Sequence, residues 1–280
     1  MLRAMSSHVY IKRRLHPGLL DAMVRGGAQA LEIFAARGHF NYHDKDHVKE
    51  VGNWFKSEKI EFHSIHAPIY MDNNFNSGGQ PVSIVDPDKR NRIEAMDEIK
   101  RAIEVAEYVP FRYLIQHIGK TDEYDDPRKF ENALSSIEHL RAFARPLGVS
   151  LLLENIPNDL STPEKLKELI RLLRYEDLGV CFDVGHAHIM SSVHQAFNML
   201  EGRIRSTHIH DNKRDKDSHL WPGEGTIDWE QTMQSLRTAP GAPAMLLEIA
   251  GAEDMDVPGK MAECYGKLES AGVTAESGDR

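Results

Sequence analysis

Short apolar runs rich in β-branched residues alternate along the chain with longer stretches of helical periodicity. That alternation is typical of repeated strand–helix units, which build parallel sheets covered by helices. The apolar runs predict strands at about 8–12, 29–34, 60–66, 112–117, 149–154, 178–183, 204–210 and 244–249. The amphipathic stretches predict helices near 17–27, 44–58, 88–107, 127–146, 162–174, 191–200, 228–238 and 255–271.

Capping residues support this division of the chain. Asp86, Asp126 and Thr162 each precede a proline, which places a favoured cap just before a proline in the first helical turn. Eight strand–helix pairs without a break in composition predict one (β/α)8 TIM barrel over residues 1–280. The length supports this, because such barrels typically take roughly 250 residues. A doubly wound open sheet is the distant alternative.

Two segments fall outside the regular pattern. Residues 68–87 follow the third predicted strand and are rich in Asn, Gly, Ser and Pro. A loop of this length in a compact domain usually has a function, so we expect a lid or substrate wall over the barrel mouth. The tail at 274–280 is expected to be frayed.

Composition narrows the class of protein. The formal net charge is -9, which disfavours binding to nucleic acid or to an anionic membrane. No apolar stretch approaches the ~20 residues of a membrane span, and the N-terminus lacks the apolar run of a signal peptide. The two cysteines fit a reducing compartment better than a disulfide scaffold. These features predict a cytoplasmic enzyme.

Polar side chains recur where the predicted strands end, and in a barrel these ends share one mouth, where active sites occur. Burying several carboxylates and imidazoles together is unfavourable unless a cation compensates. Alone, any one of these residues would be read as an ion-pair partner or a packed imidazole. Their recurrence on six consecutive strand ends favours a metal site, formed by His66, His117, Glu154, Asp183, His186, His208, His210 and Glu248.

The expected metal is a divalent cation. Mixed Asp, Glu and His ligation suits Mn²⁺, Co²⁺, Zn²⁺ or Mg²⁺. Imidazole nitrogens favour the transition metals, so Mn²⁺ or Zn²⁺ is the preferred assignment.

The chain resembles a known family, the xylose-isomerase-like barrel superfamily. That superfamily includes sugar and sugar-phosphate isomerases and epimerases, and also the endonuclease-four-type abasic-site nucleases. The resemblance covers nearly the whole chain, and the ordered set of motifs is more specific than any single one. The motifs are LEIFAARGHFNYHD, SIHAPIY, LLLENIPND, CFDVGHAH, STHIHDNKRDKDSHLWPGEGTIDW and LLEI.

The isomerase and epimerase branch implies one metal held by Glu154, Asp183, His208 and Glu248. In that branch Glu154 and Glu248 also form the acid/base pair on opposite faces of the substrate, and His186 contacts a substrate oxygen. Such a site suits a sugar-like hydroxy-carbonyl compound, because removing a proton beside a carbonyl needs a general base and a cation to stabilise the enediolate.

The nuclease branch implies a three-metal cluster instead. This chain has a matching residue at all nine ligand positions of that pattern, including Asp217 and His219 before the PGEG turn. However, the Asn-Pro-Arg type loop that those nucleases use to enter DNA reads AARGHFNY here, and the net charge is -9. We therefore predict an isomerase or epimerase. A metal-dependent hydrolase such as an abasic-site endonuclease, and a non-catalytic sugar-binding barrel, remain open alternatives.

Substrate contacts are less well defined by the sequence. Lys120, Lys213 and Arg214 are the cations available near the mouth, whereas the loop after the last strand is acidic. This balance favours an unphosphorylated polyol, keto-sugar or sugar derivative. Trp221 and Phe75 could supply an apolar wall for a sugar ring. The sequence leaves open whether the chain forms a homo-oligomer.

Overall fold

The computed structural model describes residues 1–72 and 79–272. Its strands are β1 (Arg3–Ser6), β2 (Ala30–Phe34), β3 (Glu61–His66), β4 (Tyr113–Gln116), β5 (Ser150–Glu154), β6 (Gly179–Asp183), β7 (Ile204–His208) and β8 (Met245–Leu247). All eight are parallel and form one sheet in the order β7-β6-β5-β4-β3-β2-β1-β8. A parallel bridge between Ile209 and Leu247 brings the two ends of the sheet together. The predicted (β/α)8 barrel is thereby confirmed.

The helices surround the strands. They are α1 (Pro17–Arg25), α2 (Lys45–Glu58), α3 (Lys89–Ile103), α4 (Pro127–Ala144), α5 (Pro163–Leu173), α6 (Val184–Met190), α7 (Val193–Leu200), α8 (Trp229–Thr238) and α9 (Val257–Ser270). Asp126 and Thr162 cap α4 and α5 as predicted. The prediction for Asp86 was wrong: α3 is capped by Asp88, whose carboxylate accepts from Arg90 N at 2.7 Å.

The first strand was predicted at the wrong place. Residues 8–12 have the Val, Tyr and Ile of a strand, but Ser7–Tyr10 form a 3₁₀ helix capped by the Ser6 hydroxyl. The strand is Arg3–Ser6 instead, where Ala4 pairs with Ala30 on one side and Leu246 on the other. Ala4 packs against Ala30, Ala244 and Leu246 inside the barrel, and pairing with the neighbouring strands overrides intrinsic β-propensity.

Side chains point alternately out of and into the barrel along each strand, which gives two separate buried regions. Side chains pointing outward form one large apolar core with the helices, as Leu151 and Leu153 of β5 do. Side chains pointing inward form small apolar clusters, one of which consists of Ala4, Ala30, Ala244 and Leu246. Successive strand residues face opposite sides. Polar residues near the carboxyl ends of the strands therefore share the barrel interior with these clusters.

The expected lid is described only at its base. Tyr70 and Pro81 form an antiparallel bridge, and Val82 N donates to Ile69 O at 2.9 Å. Ile84 is buried. Residues 73–78, which include Phe75, and the tail at 274–280 lie outside the described residues. Within the described part of the chain, every helix is too short or too polar to cross a membrane.

Candidate metal centre

Four side chains converge at the barrel mouth to form what we call the central cluster: Glu154, Asp183, His208 and Glu248. One ligand atom from each lies within 4.8 Å of the others, and all four residues are buried. His208 Nδ1 lies 3.2 Å from Glu154 Oε1, 3.4 Å from Glu248 Oε2 and 3.7 Å from Asp183 Oδ2. The sequence predicted these four as one ligand set, and the barrel brings them together.

The donor set of the central cluster fits a divalent cation. Three carboxylates share a buried space with one imidazole, and Glu248 Oε1 is buried without a hydrogen-bond partner among the described residues. Like charges at this distance repel, and buried carboxylates are stable only when paired or bound to metal. A combination of carboxylate oxygens and an imidazole nitrogen is a usual ligand set for Zn²⁺ or Mn²⁺.

The carboxylates are held in the charged form that metal ligation requires. Burial raises the pKa of Glu154, but the neighbouring imidazoles of His208 and His117 outweigh it and hold this pKa well below its usual value. Burial likewise raises the pKa of Asp183, and His186 and His210 lower it overall. Both groups are therefore ionised at neutral pH.

A second cluster, which we call the β3–β5 cluster, adjoins the first. It consists of His66, His117 and Glu154, whose ligand atoms also lie within 4.8 Å of one another. His117 Nε2 lies 3.1 Å and His66 Nε2 lies 3.4 Å from Glu154 Oε2. His66 Nδ1 lies 2.8 Å from Ala67 O and is the donor there, so Nε2 is the nitrogen that faces the cluster.

A third cluster, the loop cluster, lies on the other side of the central one. It consists of His186, His210, Asp217 and His219. Asp217 Oδ2 lies 3.1 Å from His186 Nε2 and 3.2 Å from His219 Nε2. Burial lowers the pKa of His219, but Asp217 outweighs burial and raises it to about 9. His210 Nε2 also lies 3.1 Å from Asp183 Oδ2, which connects the loop cluster to the central cluster.

The loop between β7 and α8 carries Asp217 and His219, and Asp211 organises that loop. The buried Asp211 carboxylate accepts from Gly223 N at 2.9 Å, Ile227 N at 3.2 Å and Trp229 Nε1 at 2.9 Å. A Cβ on Gly225 would lie 2.2 Å from Asp211 Oδ1, so the PGEG turn needs glycine there. The carboxylate thus fixes both ends of the turn beside the loop cluster.

Helix α6 was not predicted, although its start lies within the site. Asp183 caps it by accepting from His186 N at 2.6 Å, which turns the His186 ring back toward the mouth. Asn155 accepts from Asp183 N at 2.9 Å and donates to Asp183 O at 2.8 Å. Sequence reasoning missed Asn155, which follows Glu154 directly and ties the ends of β5 and β6 together.

The predicted substrate contacts are less well placed than the ligands. Trp221 is 4% exposed and lines a small cavity of about 50 Å³ beside α9, so its contact with a substrate stays a prediction. Arg214 donates to the carbonyls of His188 and Ser191 at the end of α6. Lys120 is exposed, so its contact with a substrate stays a prediction.

Comparison with known proteins gives the context for this site. The sequence model described as the xylose isomerase-like TIM barrel matches residues 20–263. An uncharacterized protein of Methanocaldococcus jannaschii is 28% identical over 183 residues, which cover 62% of this chain and only 59% of that protein. An inosose isomerase of Bacillus velezensis is 21% identical over 206 residues, 69% of each chain.

Two solved structures share the fold over almost their whole length. A D-tagatose 3-epimerase-like protein superposes with a TM-score of 0.79 at 22% identity, covering 97% of this chain and 98% of that one. The IOLI protein, solved with a zinc atom bound, has a TM-score of 0.77 at 18% identity and covers 96% of both chains. At these identities the likeness concerns the fold.

Proposed function

Because the chain belongs to the xylose isomerase-like TIM barrel family, we propose that it is a divalent-metal-dependent isomerase or epimerase of a sugar or sugar-like hydroxy-carbonyl compound. The observation that carries the proposal is the central cluster, in which two glutamates, an aspartate and a histidine meet within 4.8 Å. An inosose isomerase and a D-tagatose 3-epimerase-like protein among the similar proteins support the reaction class.

Glu154 and Glu248 are the proposed proton-transfer pair. They come from β5 and from just beyond β8, and one oxygen of each lies near the same atom, His208 Nδ1, at 3.2 Å and 3.4 Å. We assign one carboxylate to each face of a substrate that lies across the barrel axis. Glu248 Oε1 has no hydrogen-bond partner among the described residues, so it is free to accept a proton from carbon.

Asp183 and His208 complete the proposed ligand set, with Zn²⁺ or Mn²⁺ as the favoured ion. The bound cation would supply the positive charge that stabilises an enediolate. We assign His186 to a substrate oxygen, because its ring is buried beside both Asp183 and Glu154, at 3.3 Å and 3.4 Å.

Glutamine at either glutamate tests the assignment. Glu154→Gln and Glu248→Gln preserve size but remove the base, so each should lower turnover by several orders of magnitude with saturating metal present. The assay is isomerisation of a panel of ketoses and inososes in D₂O, with deuterium incorporation at the α-carbon read by mass spectrometry. Glu98→Gln is the matched control: it neutralises a buried carboxylate of α3, which accepts a hydrogen bond from Tyr42, and it should keep full activity.

The outcome of the exchange experiment separates mechanisms. Loss of both turnover and deuterium wash-in in the two site variants supports carboxylate-mediated proton transfer. Unchanged turnover in both variants at saturating metal would exclude this pair as the acid and base. If wild type binds sugars but neither converts them nor exchanges their α-proton, the chain is a binding barrel instead.

A second candidate, a metal-dependent phosphodiesterase, is favoured by the three clusters lying side by side. Glu154 belongs to two of them, and Asp183 contacts the third through His210. Elemental analysis of protein loaded with Zn²⁺ or Mn²⁺ counts the ions: about one per chain supports the isomerase, and three support the phosphodiesterase. We expect no incision of an abasic-site duplex at low salt. Robust incision that disappears in Glu248→Gln would replace the isomerase assignment with the second candidate.

A further inference from the structure

Glu32 is a carboxylate on β2 that lies wholly inside the barrel, below the central cluster. Its residue is 0% exposed, and the sequence pattern LEIF gave no reason to single it out. Ser64 Oγ donates to Glu32 Oε2 at 2.8 Å. The two carboxylate oxygens lie 3.2 Å and 3.3 Å from His208 Nε2. These contacts leave Glu32 without access to solvent or substrate.

Burying a carboxylate at this position is unfavourable unless the carboxylate has a specific role. Its inward-facing neighbour on the same strand is Ala30, which belongs to an apolar cluster. An apolar side chain at position 32 would extend that cluster without the desolvation of a charge. Of its two hydrogen-bond partners, Ser64 and His208, only His208 reaches the central cluster. The position of Glu32 is thus explained by what it does to the His208 ring.

The two nitrogens of His208 face opposite environments. Nδ1 faces the three carboxylates of the central cluster, at 3.2 to 3.7 Å, whereas Nε2 faces the Glu32 carboxylate. A neutral imidazole has one N–H and one lone pair, and a metal takes the lone pair. The hydrogen bond made by the second nitrogen decides which nitrogen is available and also fixes the orientation of the ring.

We propose that Glu32 is a positioning residue, which accepts a hydrogen bond from His208 Nε2–H and so presents the Nδ1 lone pair to the metal position. This inference rests on the metal centre of the proposed function and adds a residue that acts only through His208. Glu32 touches neither substrate nor metal. Its removal should therefore change the metal affinity and the state of the His208 ring without removing a ligand.

Metal affinity gives the first test, with Co²⁺ as the probe because its visible absorption reports its ligands. Glu32→Ala should weaken Co²⁺ binding roughly 10- to 100-fold, the usual effect of losing such a partner. Glu32→Gln keeps the shape and an acceptor oxygen but not the charge, so it should weaken binding less and should also fold if the alanine variant does not. Glu98→Gln is the matched control for loss of a buried carboxylate and should bind as wild type does.

The state of the His208 ring gives the second test and needs no activity assay. Imidazole ¹⁵N spectra should show Nε2 protonated, with a hydrogen-bonded and slowly exchanging proton, in wild type both metal-free and with Zn²⁺ bound, and loss of that proton signal in Glu32→Ala. In a His208→Gln background, Glu32→Gln should cause no additional loss of Co²⁺ affinity, because its effect passes through the ring.

The outcomes distinguish a failure of the positioning role of Glu32 from a failure of the proposed function. Wild-type affinity and an unchanged His208 signal in both Glu32 variants would overturn the positioning role. A wild-type protein that binds no divalent cation would contradict the proposed function, while the Nε2–H signal of the metal-free protein would still report on Glu32. An additional affinity loss in the His208→Gln background would show that Glu32 acts by another route.

Discussion

Two histidines of this barrel show how the groups next to an imidazole decide its charge. Burial lowers the pKa of His39 to about 4, because its partners are a carbonyl and a hydroxyl, Arg13 O at 2.6 Å and Ser7 Oγ at 2.9 Å. Burial acts on His219 in the same direction, but the Asp217 carboxylate raises that pKa to about 9. Burial acts in the same direction on both rings, but the neighbouring groups make one neutral and the other charged.

His39 makes the stability of the protein dependent on pH. The unfolded chain binds a proton at this ring near pH 6.5, whereas the folded protein binds it only near pH 4. Protons therefore favour the unfolded state in this window, and stability falls as the pH drops from about 6.5 toward about 4. At pH 5 this ring lowers the free energy of unfolding by about 2 kcal/mol relative to its value at neutral pH. His39→Gln should remove it, which urea unfolding at pH 7 and pH 5 measures.

The comparison between variants isolates this one ring from the other titrating groups. His194→Gln, at an exposed position of α7, is the matched control and should keep the wild-type difference between the two pH values. An equally steep loss of stability in His39→Gln and in wild type would show that the ring is not the source.

At the scale of elements, the loop between β7 and α8 depends on one carboxylate. Asp211→Ala removes the acceptor for Gly223 N, Ile227 N and Trp229 Nε1, and should lower the free energy of unfolding by about 3 kcal/mol. The loop should loosen and release Asp217 and His219. We expect this variant to lose any metal of the loop cluster while the central cluster keeps its own, as elemental analysis and Co²⁺ titration would show.

A matched variant separates loop order from general damage. Lys260→Ala breaks the exposed ion pair, 3.0 Å long, between Lys260 of α9 and Glu224 of the same loop, and should leave both stability and metal content nearly unchanged. Loss of metal from the central cluster in Asp211→Ala would mean that the loop supports the whole mouth rather than one cluster.

The elements also show where sequence reasoning reaches its limit. Glu154 and Asp183 could be predicted as site residues because each ends an apolar run, and in a barrel all such ends meet. β1 could not be placed, because Ala4 and Ser6 form a strand only through their neighbours β2 and β8. Glu32 could not be predicted as a site residue for a related reason: its role depends on a contact with His208, 176 positions away in sequence.

At the scale of the whole molecule, the clusters draw on strands or strand ends from β3 through β8. A cation bound to the central cluster would therefore hold β5, β6, β7 and the end of β8 together. Ligands that bind only the folded state stabilise it, by about 2.7 kcal/mol at a hundredfold excess over Kd. For a chain of this length that corresponds to a rise of about 5 °C in Tm.

Chelation tests this prediction. EDTA should lower the Tm measured by calorimetry, and addition of Zn²⁺ or Mn²⁺ should restore it. The double variant Glu154→Gln and Glu248→Gln lacks two of the proposed ligands, so its Tm should not respond to either treatment. A wild-type Tm that is insensitive to both would contradict a structural contribution from metal.

The barrel interior below the site is closed by Ala4, Ala30, Ala244 and Leu246, which are at most 4% exposed. This apolar floor leaves the mouth as the way into the central cluster. Under the proposed function, a reactant and the compound formed from it would therefore pass through the same opening in turn. Accumulating product would then compete with the reactant for the central cluster and slow turnover.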